Sequence, residues 1–123
     1  MSNSIVLTFE NGEDLSSSRY LIMKFTGGDK LENSTAATDG LVGILNENAP
    51  DSATSGHQLA LCVSGIAYVK AGAAFAPGAW LTSDANGKAV ESAGATDMIL
   101  GQALERADAD ADVVRVLVNI GWR

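Results

Sequence analysis

Residues that do chemistry on their own are scarce in this sequence. Histidine and cysteine occur once each, at His57 and Cys62, and proline only twice. A lone cysteine closes no disulfide within the chain, so the fold must hold without one. Basic residues are also few: 8 Lys and Arg stand against 15 Asp and Glu, a net charge of −7. None lies between Lys30 and Lys70. A nucleic-acid binder needs a basic stripe, and docking on anionic lipid needs a basic patch. Neither nucleic acid nor membrane is therefore an expected partner. Long apolar runs are missing too. The nearest approach to one, Leu59 to Leu81, is interrupted by Lys70, and its uncharged part Leu59 to Val69 falls far short of the roughly 20 residues of a spanning helix. The N-terminal stretch MSNSIVLTFENGEDL lacks the basic region of a secretory leader.

The familiar catalytic motifs are absent as well. There is no Gly-x-Gly-x-x-Gly and no Gly-x-Ser-x-Gly. Gly87-Lys88 is followed by Ala89, where a phosphate loop requires Ser or Thr. His57, in a Ser-Gly-His-Gln loop edge, has no nucleophile elbow to serve, and Cys62 sits in an alternating apolar run, as a small core residue does. Asp108, Asp110 and Asp112 imitate the start of a calcium loop. Val113 stands where that loop needs Gly, and Asn119 where it needs Glu, so they read as a solvated acidic loop. Asn33-Ser34-Thr35 matches a glycosylation sequon without a secretory context. No cofactor, metal or small-molecule substrate is expected, and no enzymatic activity.

What is present is β-structure. Ile5, Leu7 and Phe9 alternate with Val6 and Thr8; Leu59, Leu61 and Val63 with Ala60 and Cys62; Val114, Val116 and Val118 with Arg115 and Leu117. This period of two marks strands with one buried face. Gly65 to Lys70 and Trp80 to Thr82 read as further strands, joined by a bend with Ala71-Gly72 and Pro77-Gly78 around Phe75. Asn86-Gly87 is a tight hairpin signal. The expected fold is all-β, a small antiparallel barrel of short strands; Ile99 to Arg106 is the one candidate for a short helix. A chain of 123 residues fits one domain and buries about two-thirds of its unfolded surface, enough to fold without a metal.

Two finer features stand out. Gly43-Ile44-Leu45-Asn46-Glu47 is echoed by Gly101-Gln102-Ala103-Leu104-Glu105, each followed by a polar loop and an alternating strand. Two such units would form opposite sides of a barrel. Residues 1–18 read as an N-terminal strand or arm ahead of a β-domain over 19–123. Its Ile5, Leu7 and Phe9 suit addition to a partner's sheet edge; the alternative is pairing within its own barrel. Trp80 and Trp122 are either stacking platforms or ordinary core and rim residues.

From Gly43 onward the sequence resembles the decoration, or cement, proteins of tailed-phage heads. The residues that carry the likeness are "VGILNEN", "GIAYVKAGAAFAPGAWLTSDANGKAV" and "ILGQALERADADADVVRVLVNI". The resemblance implies a β-barrel or β-tulip domain, usually trimeric, made in the host cytoplasm. It implies binding to the major capsid protein on the outer capsid surface, where such proteins stabilise the expanded head. Contacts to capsid or to a neighbouring copy would then fall on Ile5, Leu7, Phe9, Phe75, Pro77, Trp80 and Trp122. Two rival readings remain: a carbohydrate- or surface-binding module that stacks its ligand on Trp80 or Trp122, and a barrel associated with an enzyme.

Overall fold

The computed structural model describes residues 4–26, 28–94 and 96–122, the last without the Trp122 side chain. Nine strands follow one another: β1 (Ile5–Glu10), β2 (Ile22–Phe25), β3 (Leu31–Asn33), β4 (Leu41–Leu45), β5 (Gln58–Lys70), β6 (Trp80–Ser83), β7 (Ala89–Glu91), β8 (Met98–Ala103) and β9 (Val113–Trp122). All their pairings are antiparallel, in the order β3-β2-β4-β5-β9-β8-β6-β7, with β1 added on β5. The all-β, barrel-like class expected from the alternation is what forms. The short helix considered for Ile99–Arg106 does not. Ile99 and Leu100 are both buried because a register shift between Ile99 and Gly101 turns successive residues inward. A bulged strand buried on two sides shows the same unbroken apolar run as a buried helix turn.

β5 serves two sheets. Its residues from Gln58 to Ser64 pair with β1, and those from Gly65 to Lys70 pair with β9. Gly65, at φ 101°, marks the changeover, in a left-handed conformation that favours glycine. The chain thereby divides into two units of the same topology. The first has the order β3-β2-β4-β5-β1 and the second β7-β6-β8-β9-β5. Each curls until its edges meet at one corner, through parallel bridges Asn11–Leu31 and Ala71–Ala89.

The two units match residue by residue. Ile22 and Trp80 open β2 and β6, Leu31 and Ala89 open β3 and β7, and Gly43 and Gly101 lie in β4 and β8; each pair is 58 residues apart. The hydrogen bonds repeat with the same offset. Tyr20 N–H donates to the Leu45 carbonyl as Gly78 N–H does to that of Ala103, and Leu45 N–H donates to Leu21 as Ala103 does to Ala79. Both Tyr20 and Gly78 have positive φ, 70° and 89°. The bulky residue is held there by Arg19, 4.6 Å over its ring, and by Tyr68. Across the ladders, Leu7 faces Leu61 as Ala67 faces Val116. The five-residue echo in the sequence is thus the visible part of a duplication that spans the whole described chain.

The units pack differently. The first has a core of Leu15, Met23, Leu31, Leu45, Ala49, Leu59 and Leu61. Their counterparts Phe75, Leu81, Ala89, Ala103, Ala107, Val114 and Val116 lie in the second core, which also contains Ile22, Leu41, Ile44 and Cys62 from the first unit. Alanine where the first unit has leucine leaves room for those extra side chains at close packing. Polar bonds fix the seam. Ile22 N–H donates to Gly87 O at 2.7 Å, Met98 N–H to Ala37 O at 2.7 Å and Lys70 N–H to Tyr20 O at 2.8 Å.

The stretch read as an arm is integrated into the sheet over its described part. β1 pairs with β5 along its length, and Asn11, Leu15 and Ser18 are buried.

Gly43 and Gly101 occupy the same place in the two units. A Cβ on Gly43 would run into the Cys62 carbonyl and one on Gly101 into that of Leu117. Backbone cannot retreat as a side-chain tip can. Gly43→Ala and Gly101→Ala should each destabilise the protein by roughly 1–3 kcal/mol, read as a lower urea midpoint. A midpoint unchanged in both variants would refute this account of the two strand contacts.

Candidate binding surface

The exposed apolar residues concentrate on the outer face of the second unit. Trp80 on β6 lies opposite Gln102 on β8, Gln102 opposite Leu117 on β9, and Leu117 opposite Ile66 on β5. This cross-strand row leaves Trp80 46%, Leu117 40% and Ile66 53% exposed. Tyr68 extends it along β5, with its ring edge to Tyr20 at a centroid distance of 6.2 Å. The alternation that buries Val114, Val116 and Val118 forces Leu117 outward. Ile5, Val6 and Leu7 of β1 are exposed as well, with Val6 opposite Cys62 on one face of the strand and Leu7 opposite Leu61 on the other. Phe25, 38% exposed, meets Phe9 edge-to-face at 5.1 Å. Patches of contiguous apolar residues mark interaction surfaces far more often than scattered ones do.

The residues singled out from the sequence divide accordingly. Ile5 and Leu7 are exposed, Phe9 is half-buried, and Pro77 and Trp80 are exposed. Phe75 is a correction: only 5% exposed, it fills the second core, and its backbone exchanges two 3.0 Å hydrogen bonds with Ala107. It is the counterpart of Leu15, an anchor of the bend and not a contact. Trp122 lies in β9 opposite Met98, and its side chain falls outside the described residues. Sequence reading missed Ile66, Tyr68 and Leu117. Their outward parity against the buried valines was the available signal.

The remaining candidates are tied up in structure. His57 Nε2 lies 3.0 Å from Asp51 Oδ1 on an exposed loop. Burial pushes the Cys62 thiol above its usual range, which keeps it protonated and unreactive. Asp112 accepts the Asp108 and Ala109 N–H groups at 2.9 and 3.1 Å, and Asp110 pairs with Lys88 at 3.0 Å. Among the described residues no group of three or more His, Cys, Asp or Glu is placed to hold a metal ion. A shallow groove of about 470 Å³ contains Lys24, Glu32, Glu13 and Asn33. Its charges are already matched: Lys24 with Glu32 at 3.7 Å and with Asp39 at 3.3 Å, Glu13 with the Asn33 N–H at 2.7 Å.

Asp39 and Asp97 tie equivalent loops, 58 residues apart. Asp39 Oδ2 accepts from the N–H groups of Thr35 and Ala36 and from the Ser34 hydroxyl, and Asp97 Oδ2 from those of Ala93 and Gly94 and the Ser92 hydroxyl. The sequence signature is Ser-x-x-Ala-Thr-Asp, at 34–39 and 92–97. Burial opposes the Asp39 charge, but the Thr35 hydrogen bond and Lys24 outweigh it and hold the carboxyl below its usual value.

With this geometry established, comparison with known proteins places the chain. A family model described as phage cement protein matches residues 7–120. The chain belongs to the phage cement protein family, and its role is structural and associated with the phage capsid. A solved structure with a similar fold is the head fiber gp8.5 N base of bacteriophage phi29, at 17% identity and a TM-score of 0.70, over 94% of this chain and 95% of that one. No curated protein matches.

Two outcomes test the site chemistry. The melting temperature should be the same in excess calcium as in chelator, since Asp108, Asp110 and Asp112 are used internally; a rise of several degrees with calcium would show a native-state site. Asp39 has a lowered folded pKa, so its stabilisation is present above the unfolded value of about 3.9 and lost as pH falls through the folded one. Asp39→Asn should therefore lower the melting temperature at neutral pH, with the gap to wild type closing below about pH 4. A gap that widens on acidification would contradict the assignment.

Proposed function

We propose that this protein decorates the outer surface of a phage head as a homo-oligomer, a trimer by resemblance, and stabilises the expanded shell by contacts to the major capsid protein. The observation that carries the reading is the family match over residues 7–120. The surface supports it: exposed apolar rows lie on strands, and the charges of the groove at Lys24 are already paired. A protein that acts by many repeated contacts needs area rather than a pocket, and oligomerisation links modest interfaces into a strong one. The net charge of −7 keeps unassembled copies soluble. The carbohydrate-binding alternative rests on Trp80, which is exposed but belongs to an apolar row with Leu117 and Ile66. A row of aliphatic and aromatic side chains suits a protein partner better than a sugar.

Purified protein added to expanded, undecorated heads should co-sediment with them at saturating stoichiometry, and the decorated heads should resist heat or chelation better than bare ones. Co-sedimentation equal to that with unexpanded proheads, or no gain in resistance, would sink the proposal. His57→Ala should bind as wild type does, since His57 lies on an exposed loop paired to Asp51.

A further inference from the structure

The duplication shows how one unit is covered by the other, and what is left uncovered. In the first unit the outer row runs Ile22–Ile44–Cys62–Val6 across β2, β4, β5 and β1. Its counterpart in the second unit is Trp80–Gln102–Leu117–Ile66. Three of the first row's four members are buried within the chain, Ile22 and Ile44 at 0% and Cys62 at 1% exposure, while Val6 on the edge strand is 47% exposed. These three lie in one core with Ala67, Leu100 and Val118 of the second unit, and β4 approaches β8 and β9. Among the described residues nothing covers the second row in this way: Trp80 is 46%, Leu117 40% and Ile66 53% exposed.

The receiving face repeats as well. Ala67, Leu100 and Val118 are buried. Their counterparts Leu7, Val42 and Val63 are exposed or half-buried. Within the chain, then, the first unit's row docks on the second unit's face. The second unit's row and the first unit's face remain as unmatched halves of the same contact. The free row also continues directly from the seam: Ser4 Oγ, at the start of β1, donates to the Ile66 carbonyl at 2.7 Å.

We infer that the row Trp80–Gln102–Leu117–Ile66 of one copy docks on the Leu7–Val42–Val63 face of a second copy, head to tail, and repeats between chains the contact that joins the two units within one. This rests on the homo-oligomer of the proposed function and names its interface. A head-to-tail contact uses two different patches, so successive copies close into a ring when the rotation permits. Three copies would present six units around one axis. The bulkier Leu7 in place of Ala67 makes the contact between chains a meeting of faces rather than an insertion.

The test uses the full chain with Leu117→Glu and, separately, Leu7→Glu. Both side chains are exposed, at 40% and 47%, so the fold should survive; unchanged circular dichroism and melting temperature check that. In size exclusion with light scattering, wild type should be an oligomer and each variant should have the mass of one chain. An equimolar mixture of the variants should then form a dimer of one copy each. The Leu7→Glu copy keeps an intact row and the Leu117→Glu copy an intact face, so one good interface remains. Wild-type oligomers that persist in either variant, a mixture that stays monomeric, or a monomeric wild type would each overturn the inference. Head binding, measured separately, distinguishes the two readings. A monomeric wild type that still binds heads overturns only this interface, whereas an oligomer assembled as described that ignores heads overturns only the proposed function.

Discussion

The structure depends on β5 being shared. A strand of 13 residues, Gln58–Lys70, gives its first half to one curled sheet and its second half to the other. Neither unit is complete without it, because the first unit needs residues 58–64 to support β1 and the second needs residues 65–70 to border β9. Small domains of this size bury too little surface to tolerate a loose join. A shared strand makes the join covalent and hydrogen-bonded at once, and the backbone bonds from Ile22, Lys70 and Met98 lock the angle. The asymmetry of the two cores follows. Once one unit's outer row is committed to the seam, the other unit must thin its interior to alanine to accept it.

Polar groups follow the same duplicated plan. Glu47 Oε2 accepts the Ala60 N–H and Glu105 Oε2 accepts the Arg115 N–H, both at 2.9 Å. These carboxylates cap the start of the strand that follows each loop, as Asp39 and Asp97 brace the loops before β4 and β8. Several of the acidic residues that give the chain its charge are therefore bound to backbone donors at loop ends. Loop ends are where a chain of short strands leaves most N–H groups without ladder partners. An acidic composition is one way to satisfy them. It carries the further consequence of mutual repulsion between free copies.

Much of this was legible in the sequence, and the failures have physical causes. Strict alternation located β1, β5 and β9, and Asn86-Gly87 located the β6–β7 turn, because side-chain parity and positive φ are local properties. β3, three residues long, has too few positions to show a period. Ile99–Leu100 imitated a helix because the bulge buries both. Phe75 read as a contact because a bend with Pro77 and Gly78 looks like surface, whereas the ring turns inward as Leu15 does. The duplication was read only from Gly43–Glu47 against Gly101–Glu105, although Ser-x-x-Ala-Thr-Asp at 34–39 and 92–97 carries it too. Its cores diverged in size, leucine against alanine, while the glycines and acidic caps could not. Backbone contacts and carboxylate brackets tolerate less substitution than packing volume does.

The candidate surface was the least legible part, since an outward leucine in an alternating strand differs from an inward one only by register. Leu117 and Val116 are neighbours, one 40% exposed and the other fully buried. Sequence assigns both to a strand and leaves their sides to the ladder. The duplication supplies a standard for judging the exposed ones. At Ile22, Ile44 and Cys62 the apolar outer row of the first unit is covered by the second. Trp80 and Leu117 take the places of Ile22 and Cys62 in the second unit and, among the described residues, stay exposed. A monomeric surface would relieve that cost with polar residues at these positions. Only Gln102, at the centre of the row, takes that course, and its amide is already engaged with the Gly78 carbonyl at 3.0 Å. The row is therefore apolar at both flanks and hydrogen-bonded in the middle, as in the core of an interface between protein surfaces.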